Sequence, residues 1–441
     1  MTVADTISQL RSGEIDLLEY TTEICDKIEV EEPRIKALVP GTYERKRVLG
    51  SAFGLLERYP RPPSRPALFG VPVGVKDIFR VSGFPTRCGS NLPAELFDGP
   101  EAACVKLLRK AGAIILGKTA TTEFAYLDPG PTRNPHNIEY TPGGSSSGSA
   151  AGVACSFFSF ALGTQTVGSI IRPAAYCGVV GFKPSYGRIP VGGVMPFAHS
   201  ADHVGLFSSG VSELKVILPL LCVGWKASRR KSAVSRKQVL GVPEGPYLRQ
   251  ASASALDYFE SHLTRIREAG YEIRRTETLP HIDTVNHGHL RMIAGEMARV
   301  HKGWFKAYKD LYGPKTSEII QEGLTVSDRE LVRLRSARAE LRLELEKQMK
   351  SEEIDLWICP SATGPAPFGL QSTGSPLMNL PWTFSGLPTI SLPAGLSDKN
   401  LPLGIQVVAP YMEDELLISA SEELAGRLEG VGMRSSPRAM D

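Results

Sequence analysis

The sequence predicts an α/β protein, and three consecutive stretches carry that prediction. Gly70-Val71-Pro72-Val73-Gly74-Val75-Lys76-Asp77 is a short β-branched run bounded by Gly and Pro, the texture of a strand. Residues 101–112 read as a helix with Cys104, Leu107, Leu108 and Ala111 inward and Gly112 closing it. Ala113-Ile114-Ile115-Leu116-Gly117 follows as a wholly apolar strand, the kind buried on both faces of a sheet. Strand, helix and strand in alternation argue for layers of helix on sheet.

The remaining elements are read in chain order. Up to about residue 58, Ile7, Leu10, Leu17, Leu18, Cys25 and Ile28 trace a helical stripe. Residues 1–67 are therefore expected to be a helical segment that packs on a core starting at 68. Residues 132–148 are a loop rich in Pro, Asn, Gly and Ser, and 149–160 read as an apolar, buried helix. Residues 163–173 read as loop, and Val179-Val180-Gly181-Phe182 as a core strand. Within a more ordinary stretch, 238–350, a strand at 239–242 and a helix at 255–269 precede two charged helices. The last, 328–350, is amphipathic, with Leu331, Leu334, Leu341 and Leu345 on one face. Strand character returns at 355–360, 389–392 and 403–408, and the tail 431–441 is expected to be mobile.

Composition narrows the function classes. At 441 residues the length prior allows two or three domains, although one large α/β unit can carry it. Hydrophobic residues at 42% and charged residues at 22% are those of an ordinary globular protein. A formal charge of +3 is too small, for this length, to imply nucleic acid or an anionic membrane as partner. The cluster Arg229-Arg230-Lys231, with Arg236 and Lys237, reads as a solvated linker. The seven cysteines have no metal-ligand spacing, so free thiols in a reducing compartment are expected. The first ten residues lack a basic stretch followed by an apolar run, which makes a cytoplasmic location the expectation.

Two segments stand out for small residues: Gly143-Gly144-Ser145-Ser146-Ser147-Gly148-Ser149 and Gly163-Thr164-Gln165-Thr166-Val167-Gly168-Ser169. At this density backbone N–H groups can converge on one anion, either a phosphate or a developing oxyanion. Apolar elements flank both segments, which argues against a free linker, and the phosphate-loop pattern G-x-x-x-x-G-K-[ST] is absent. A serine nucleophile needs a base. No G-x-S-x-G elbow surrounds Ser169, and the histidines, among them His136, His199 and His203, show no acidic companion pattern. A lysine serves only when neutral, which means lowering its pKa by roughly 2 to 3 from about 10.4. Lys76 lies in an apolar strand. Read by itself, an ion pair with Asp77 or a more distant carboxylate is the simpler account of it.

The same segments resemble the amidase signature family. Gly-Gly-Ser-Ser-x-Gly-Ser-Ala-Ala at 143–151, Gly-Thr-x-Thr-x-Gly-Ser at 163–169, Arg-Pro-Ala-Ala-Tyr-Cys-Gly at 172–178 and Gly-Phe-Lys-Pro at 181–184 carry the likeness. Gly-Val-Pro-Val-Gly-Val-Lys-Asp at 70–77, Thr-Arg-Asn-Pro at 132–135, Gly-Leu-Pro-Thr-Ile-Ser-Leu-Pro-Ala-Gly at 386–395 and Leu-Pro-Leu-Gly-Ile-Gln at 401–406 extend it.

The resemblance implies one large domain over 68–430, with a mixed central sheet covered by helices on both faces. Within it fall a catalytic core at 68–210, the variable segment 238–350 and C-terminal core strands at 355–410. The family's catalytic lysine falls on Lys76, its bridging serine, on a cis peptide, on Ser145, and its nucleophile on Ser169. The backbone N–H groups of Thr166, Val167, Gly168 and Ser169 would hold the oxyanion. The implied activity is cleavage of the C–N bond of a small-molecule amide through an acyl-enzyme, with no metal or organic cofactor; a homodimer stays open.

The chain departs from the common pattern in the oxyanion loop. Gln165 stands where many relatives have Asp, Val167 where they have Gly, and Ser147 where a Gly is common. Ile170 and Ile171 push the arginine back to Arg172. These are read as traits of a Gln-variant subgroup of hydrolytic amidases, and they put the loop's ion pair and its shape in question. Two alternatives remain: a glutamine-hydrolysing component of an amidotransferase, and an inactive scaffold member. Specificity is expected from 190–205 and 285–325, where Met195, Phe197, Trp304, Phe305 and Tyr308 fit pocket wall or core equally.

Overall fold

The computed structural model describes residues 3–226 and 237–428. Most of the basic cluster (Arg229, Arg230, Lys231, Arg236) and the tail 431–441 lie outside the described residues.

Ten strands form one sheet. They are β1 Pro72–Lys76, β2 Ile114–Thr119, β3 Phe160–Gln165, β4 Val180–Lys183 and β5 His203–Ser208, then β6 Leu240–Glu244, β7 Ile273–Glu277, β8 Leu356–Pro360, β9 Thr389–Leu396 and β10 Pro402–Val408. Their spatial order is β2-β1-β3-β5-β4-β9-β10-β8-β6-β7. Pairing is parallel toward both edges, where β1 joins β2 and β3 and β6 joins β7 and β8. It is antiparallel across the centre, from β3 through β5, β4, β9 and β10 to β8. The parallel pairs need crossovers, and helices Ala103–Lys110 and Ala253–Glu268 supply them between β1 and β2 and between β6 and β7.

Strand side chains alternate between two cores. Val73, Val75, Ile115, Phe160, Leu162 and Leu206 join one; Ile114, Leu116, Ala161 and Phe207 join the other. The second core also takes Leu17, Cys25 and Ile28 from helix Leu17–Ile35 and Val48 and Ala52 from helix Arg45–Arg58. Layers on both faces make the sheet's short apolar strands soluble. In helix Asp328–Ser351 all four expected leucines are buried.

Three expectations change. Leu107 is 38% exposed, and Val105 takes its place inward beside Cys104 and Leu108. The helix expected over 149–160 is Ser147–Ala154, and residues 160–165, expected as helix end and loop, are strand β3. There Gly163 is a packing site, since a Cβ would stand 2.6 Å from the Phe207 ring and 2.9 Å from Ser146 Oγ. Strands β5 and β7 had no clear alternation to announce them. All seven cysteines are buried and unpaired, and among the described residues no helix is long and apolar enough to cross a membrane.

Candidate active site

Lys76 ends β1, wholly buried between β2 and β3. Its Nζ lies 2.7 Å from Ser145 Oγ and 2.9 Å from Thr164 Oγ1, the latter on β3. Burial lowers its pKa to about 7, while the nearby Asp202 carboxylate and Cys88 oppose that fall. The pairing of Lys76 with Asp77 does not form, because Asp77 pairs with Lys118 at 2.7 Å; among the described residues no more distant carboxylate lies within ion-pair distance of Lys76, although Asp202 acts on it from farther off. Successive strand residues point to opposite faces, so Lys76 and Asp77 have different surroundings.

The Gly144–Ser145 peptide bond is cis. Buried Ser145 reaches Lys76 from the loop that enters helix Ser147–Ala154. Ser169 follows β3 and leads into helix Ile171–Cys177. It lines a cavity of ≈ 380 Å³ together with Thr166, Val167, Arg172, Phe197 and Lys315. The direct hydrogen bond within the serine–lysine group is between Lys76 and Ser145; among the described residues none joins Ser169 Oγ to Ser145.

The loop between β3 and that helix is anchored through its carbonyls. Thr166 O accepts from His289 Nε2 at 2.8 Å, Val167 O from Thr383 Oγ1 at 2.6 Å, and Gly168 O from Arg172 N at 3.1 Å. Both ring nitrogens of His289 face carbonyls, Nδ1 lying 3.3 Å from Leu380 O; burial lowers the pKa to about 4, which keeps the ring neutral with one proton, and the shorter contact assigns that proton to Nε2. The N–H groups of Thr166, Val167, Gly168 and Ser169 donate to no side chain or loop carbonyl among the described residues. Three carbonyls tied outward leave these donors for a ligand.

The departures in the loop have physical accounts. Gln165 Oε1 accepts from Ile170 N at 2.8 Å and Ile171 N at 3.0 Å, and its Nε2 donates to Thr383 Oγ1 at 2.9 Å. Two donors facing Oε1 fix the amide's orientation, and a neutral amide closes the loop without an ion pair. Val167 is not among the residues of positive φ, so its branched side chain meets no left-handed backbone. Gly168 is required by contact instead, because a Cβ would stand 2.5 Å from Asn379 Oδ1. The displaced Arg172 is buried, and its Nη2 donates to Gly144 O at 2.7 Å and to Thr373 Oγ1 at 3.1 Å. Burial lowers its pKa to about 10, which leaves it charged, and among the described residues Nε and Nη1 have no hydrogen-bond partner.

Sequence reasoning missed Thr164, Asp202, His289, Thr383 and the wall 372–377. Thr164 lies inside the Gly-Thr-x-Thr-x-Gly-Ser stretch and Asp202 and His289 inside the segments 190–205 and 285–325, but no spacing singles out their side chains from ordinary loop or core residues. Of the expected specificity residues, Met195 and Phe197 line cavities, whereas Trp304 and Phe305 pack in the aromatic core beside Phe97 and Tyr312.

The likeness to known proteins runs nearly the length of the chain. The family profile described as Amidase matches residues 19–418. The A subunit of the glutamyl-tRNA(Gln) amidotransferase of a Geobacter species is 30% identical, covering 95% of this chain and 96% of its own. Its counterpart of the same name from Prochlorococcus marinus is 28% identical over 96% of each chain. Among solved structures, an amidase superposes with a TM-score of 0.86 at 29% identity, covering 97% of this chain and 100% of its own. The peptide amidase of Stenotrophomonas maltophilia does so with 0.84 at 25%, covering 100% and 99%. This chain belongs to the amidase signature family.

Proposed function

We propose that the protein is a hydrolase of small amides, with Ser169 as nucleophile, Ser145 as proton bridge and Lys76 as base. The observation that carries this reading is the buried Lys76–Ser145 contact of 2.7 Å, made by a lysine whose pKa is lowered to about 7. Neutral Lys76 takes a proton from Ser145, Ser145 takes one from Ser169, and Ser169 Oγ adds to the amide carbon. The N–H groups of Thr166, Val167, Gly168 and Ser169 hold the oxyanion. The nitrogen leaves with the relayed proton, and water hydrolyses the acyl-Ser169 ester. Apo catalytic contacts often tighten only with substrate, and the Ser169–Ser145 hydrogen bond is the one that would form at that point. Buried free thiols fit a reducing, cytoplasmic setting.

The cavity's charge favours an acid-bearing amide. Arg172 and Lys315 line it, and none of the described residues lining it is acidic. A buried charge without a protein counter-ion is costly, and a substrate carboxylate supplies one. Arg172→Met should raise KM for carboxylate-bearing amides at least about tenfold relative to neutral ones, the scale of about 1.4 kcal/mol. An unchanged ratio would remove the anionic-substrate reading.

The curated relatives favour a second reading, a glutamine-hydrolysing component of an amidotransferase. Free glutamine brings an ammonium group, for which this cavity offers no carboxylate among the described lining residues. The test is fluorophosphonate labelling of the purified chain, with ammonia release measured on neutral, acid-bearing and glutamine amides. Labelling with turnover by the chain alone supports the hydrolase, turnover only with co-purified partners supports the amidotransferase, and neither labelling nor turnover supports a scaffold.

Val167 lines the same cavity as Ser169, so on this reading its isopropyl group narrows the space beside the scissile carbonyl. Val167→Gly should leave small-amide turnover within about tenfold, under roughly 1.4 kcal/mol of barrier, and improve bulky acyl groups relative to small ones. Activity appearing only in Val167→Gly, from an inert parent, would instead mean that the isopropyl group spoils the hole.

A further inference from the structure

Strands β3 and β5 run antiparallel, and Gln165, the last residue of β3, pairs with His203, the first of β5. The next residues, Thr166 and Asp202, therefore lie side by side just beyond the sheet. They are bonded: Thr166 Oγ1 donates to Asp202 Oδ1 at 2.6 Å, the short distance of a hydroxyl on a carboxylate. Thr166 is the first residue of the oxyanion loop. His289 holds its carbonyl and Asp202 its hydroxyl, so the direction of its N–H is fixed from two sides.

The carboxylate is itself locked. Oδ2 accepts from Phe197 N at 2.9 Å and Ala198 N at 3.0 Å, and Asp202 N donates to Ala198 O at 2.9 Å. One turn, 197–202, thus carries both Phe197, on the wall of the substrate cavity, and the group that holds Thr166. Asp202 also stands near Lys76. With Thr164 and Thr166 it lines a small cavity of ≈ 50 Å³ beside the substrate cavity, and Thr164 Oγ1 accepts from Lys76 Nζ at 2.9 Å. The other titratable groups around these two residues are Cys88 and the Asp77–Lys118 pair near Lys76, and Tyr186 and His199 near Asp202. His203, next in the chain, is kept neutral by burial. Burial raises the pKa of Asp202 to about 6, below that of Lys76, so the carboxylate is charged where the lysine loses its proton.

We propose that Asp202 is a positioning residue of the reaction: it sets the head of the oxyanion loop through the Thr166 hydroxyl, and it holds a negative charge behind Thr164, where Lys76 accepts and returns its proton. The inference rests on the hydrolase reading above. Once the relay has run, Lys76 is an ammonium until the leaving nitrogen takes the proton. Asp202 stabilises that charge without pairing with it, and so makes neutral Lys76 the stronger base. The sign follows: without the carboxylate the lysine holds its proton less tightly, and the acid limb of kcat/KM moves to lower pH.

The test measures kcat, KM and the pH profile with the amide the protein turns over fastest. Asp202→Ala should lower kcat about a hundredfold with KM within about threefold, the cost of a displaced loop and not of lost substrate binding. Thr166→Val keeps its backbone N–H and should also lower kcat. Added to Asp202→Ala it should cost less than about threefold more, because both changes remove one contact. Asp202→Asn can keep three hydrogen bonds without the charge, its oxygen accepting from the N–H groups of Phe197 and Ala198 and its Nδ2 donating to Thr166 Oγ1. It should recover at least about tenfold of the kcat lost in Asp202→Ala, and its acid limb should lie below the wild type's by about half a pH unit or more. Losses that multiply in the double variant, or an acid limb unmoved in Asp202→Asn, overturn the proposal and leave the hydrolase reading standing. If Asp202→Ala does not fold, the acid limb of Asp202→Asn decides alone. A wild type that turns over no amide overturns both.

Discussion

Lys76→Ala should cost at least about 10⁴-fold in amide turnover, or about 5.5 kcal/mol of barrier, while the protein stays folded. Among the described residues no other side chain contacts Ser145 in a way that could start the relay, since Thr164 touches the lysine itself and Asp77 is engaged with Lys118. The fold should survive because the change removes a buried ammonium, and far-ultraviolet circular dichroism with a thermal melt checks that. Lys76→Arg should be as inactive as Lys76→Ala, because a guanidinium does not give up its proton in this range. In the wild type the acid limb of kcat/KM should be centred near pH 7: protonated below it, Lys76 cannot accept, and activity rises as the proton leaves. A folded Lys76→Ala protein with full activity, or a rate flat down to roughly pH 5, would end the lysine mechanism.

The same burial carries a stability consequence. The lysine's pKa is lower folded than unfolded, so between about pH 7 and about pH 10 the unfolded chain binds the extra proton. Stability from this group therefore rises with pH across that window, and Lys76→Ala should flatten the slope.

The second large effect separates the serines. Ser169→Ala should lose turnover and fluorophosphonate labelling together, because the atom that bonds to carbon or phosphorus is gone. Ser145→Ala should keep labelling, but slowed by about 10² to 10⁴, since the nucleophile survives without the bridge to Lys76. Peptide mapping reads the result. A label on Ser145 or Cys177 would place the nucleophile elsewhere; Cys177 is buried and its thiol pKa is pushed well up by burial, which argues against it.

Sequence alone determined the local features. Composition and β-branched runs announced β1, β2, β4, β6, β8, β9 and β10 because strands buried on both faces must be apolar throughout. The Gly/Ser segments announced close backbone approach, and their spacing carried the family resemblance with Lys76, Ser145 and Ser169 as candidates. Only the tertiary structure decided which charges meet. Lys76 and Asp77 are neighbours in sequence yet part across the pleat, and Lys118, far along the chain, takes the aspartate. It also decided that Gln165 closes the loop after β3 as a neutral amide, and that His289, on helix Ile282–Tyr308, holds Thr166. Periodicity reports which face of an element is apolar and says nothing of which polar atom on another element lies within 3 Å. That distance is set by how the sheet and its helices pack, and the chemistry of the site depends on it.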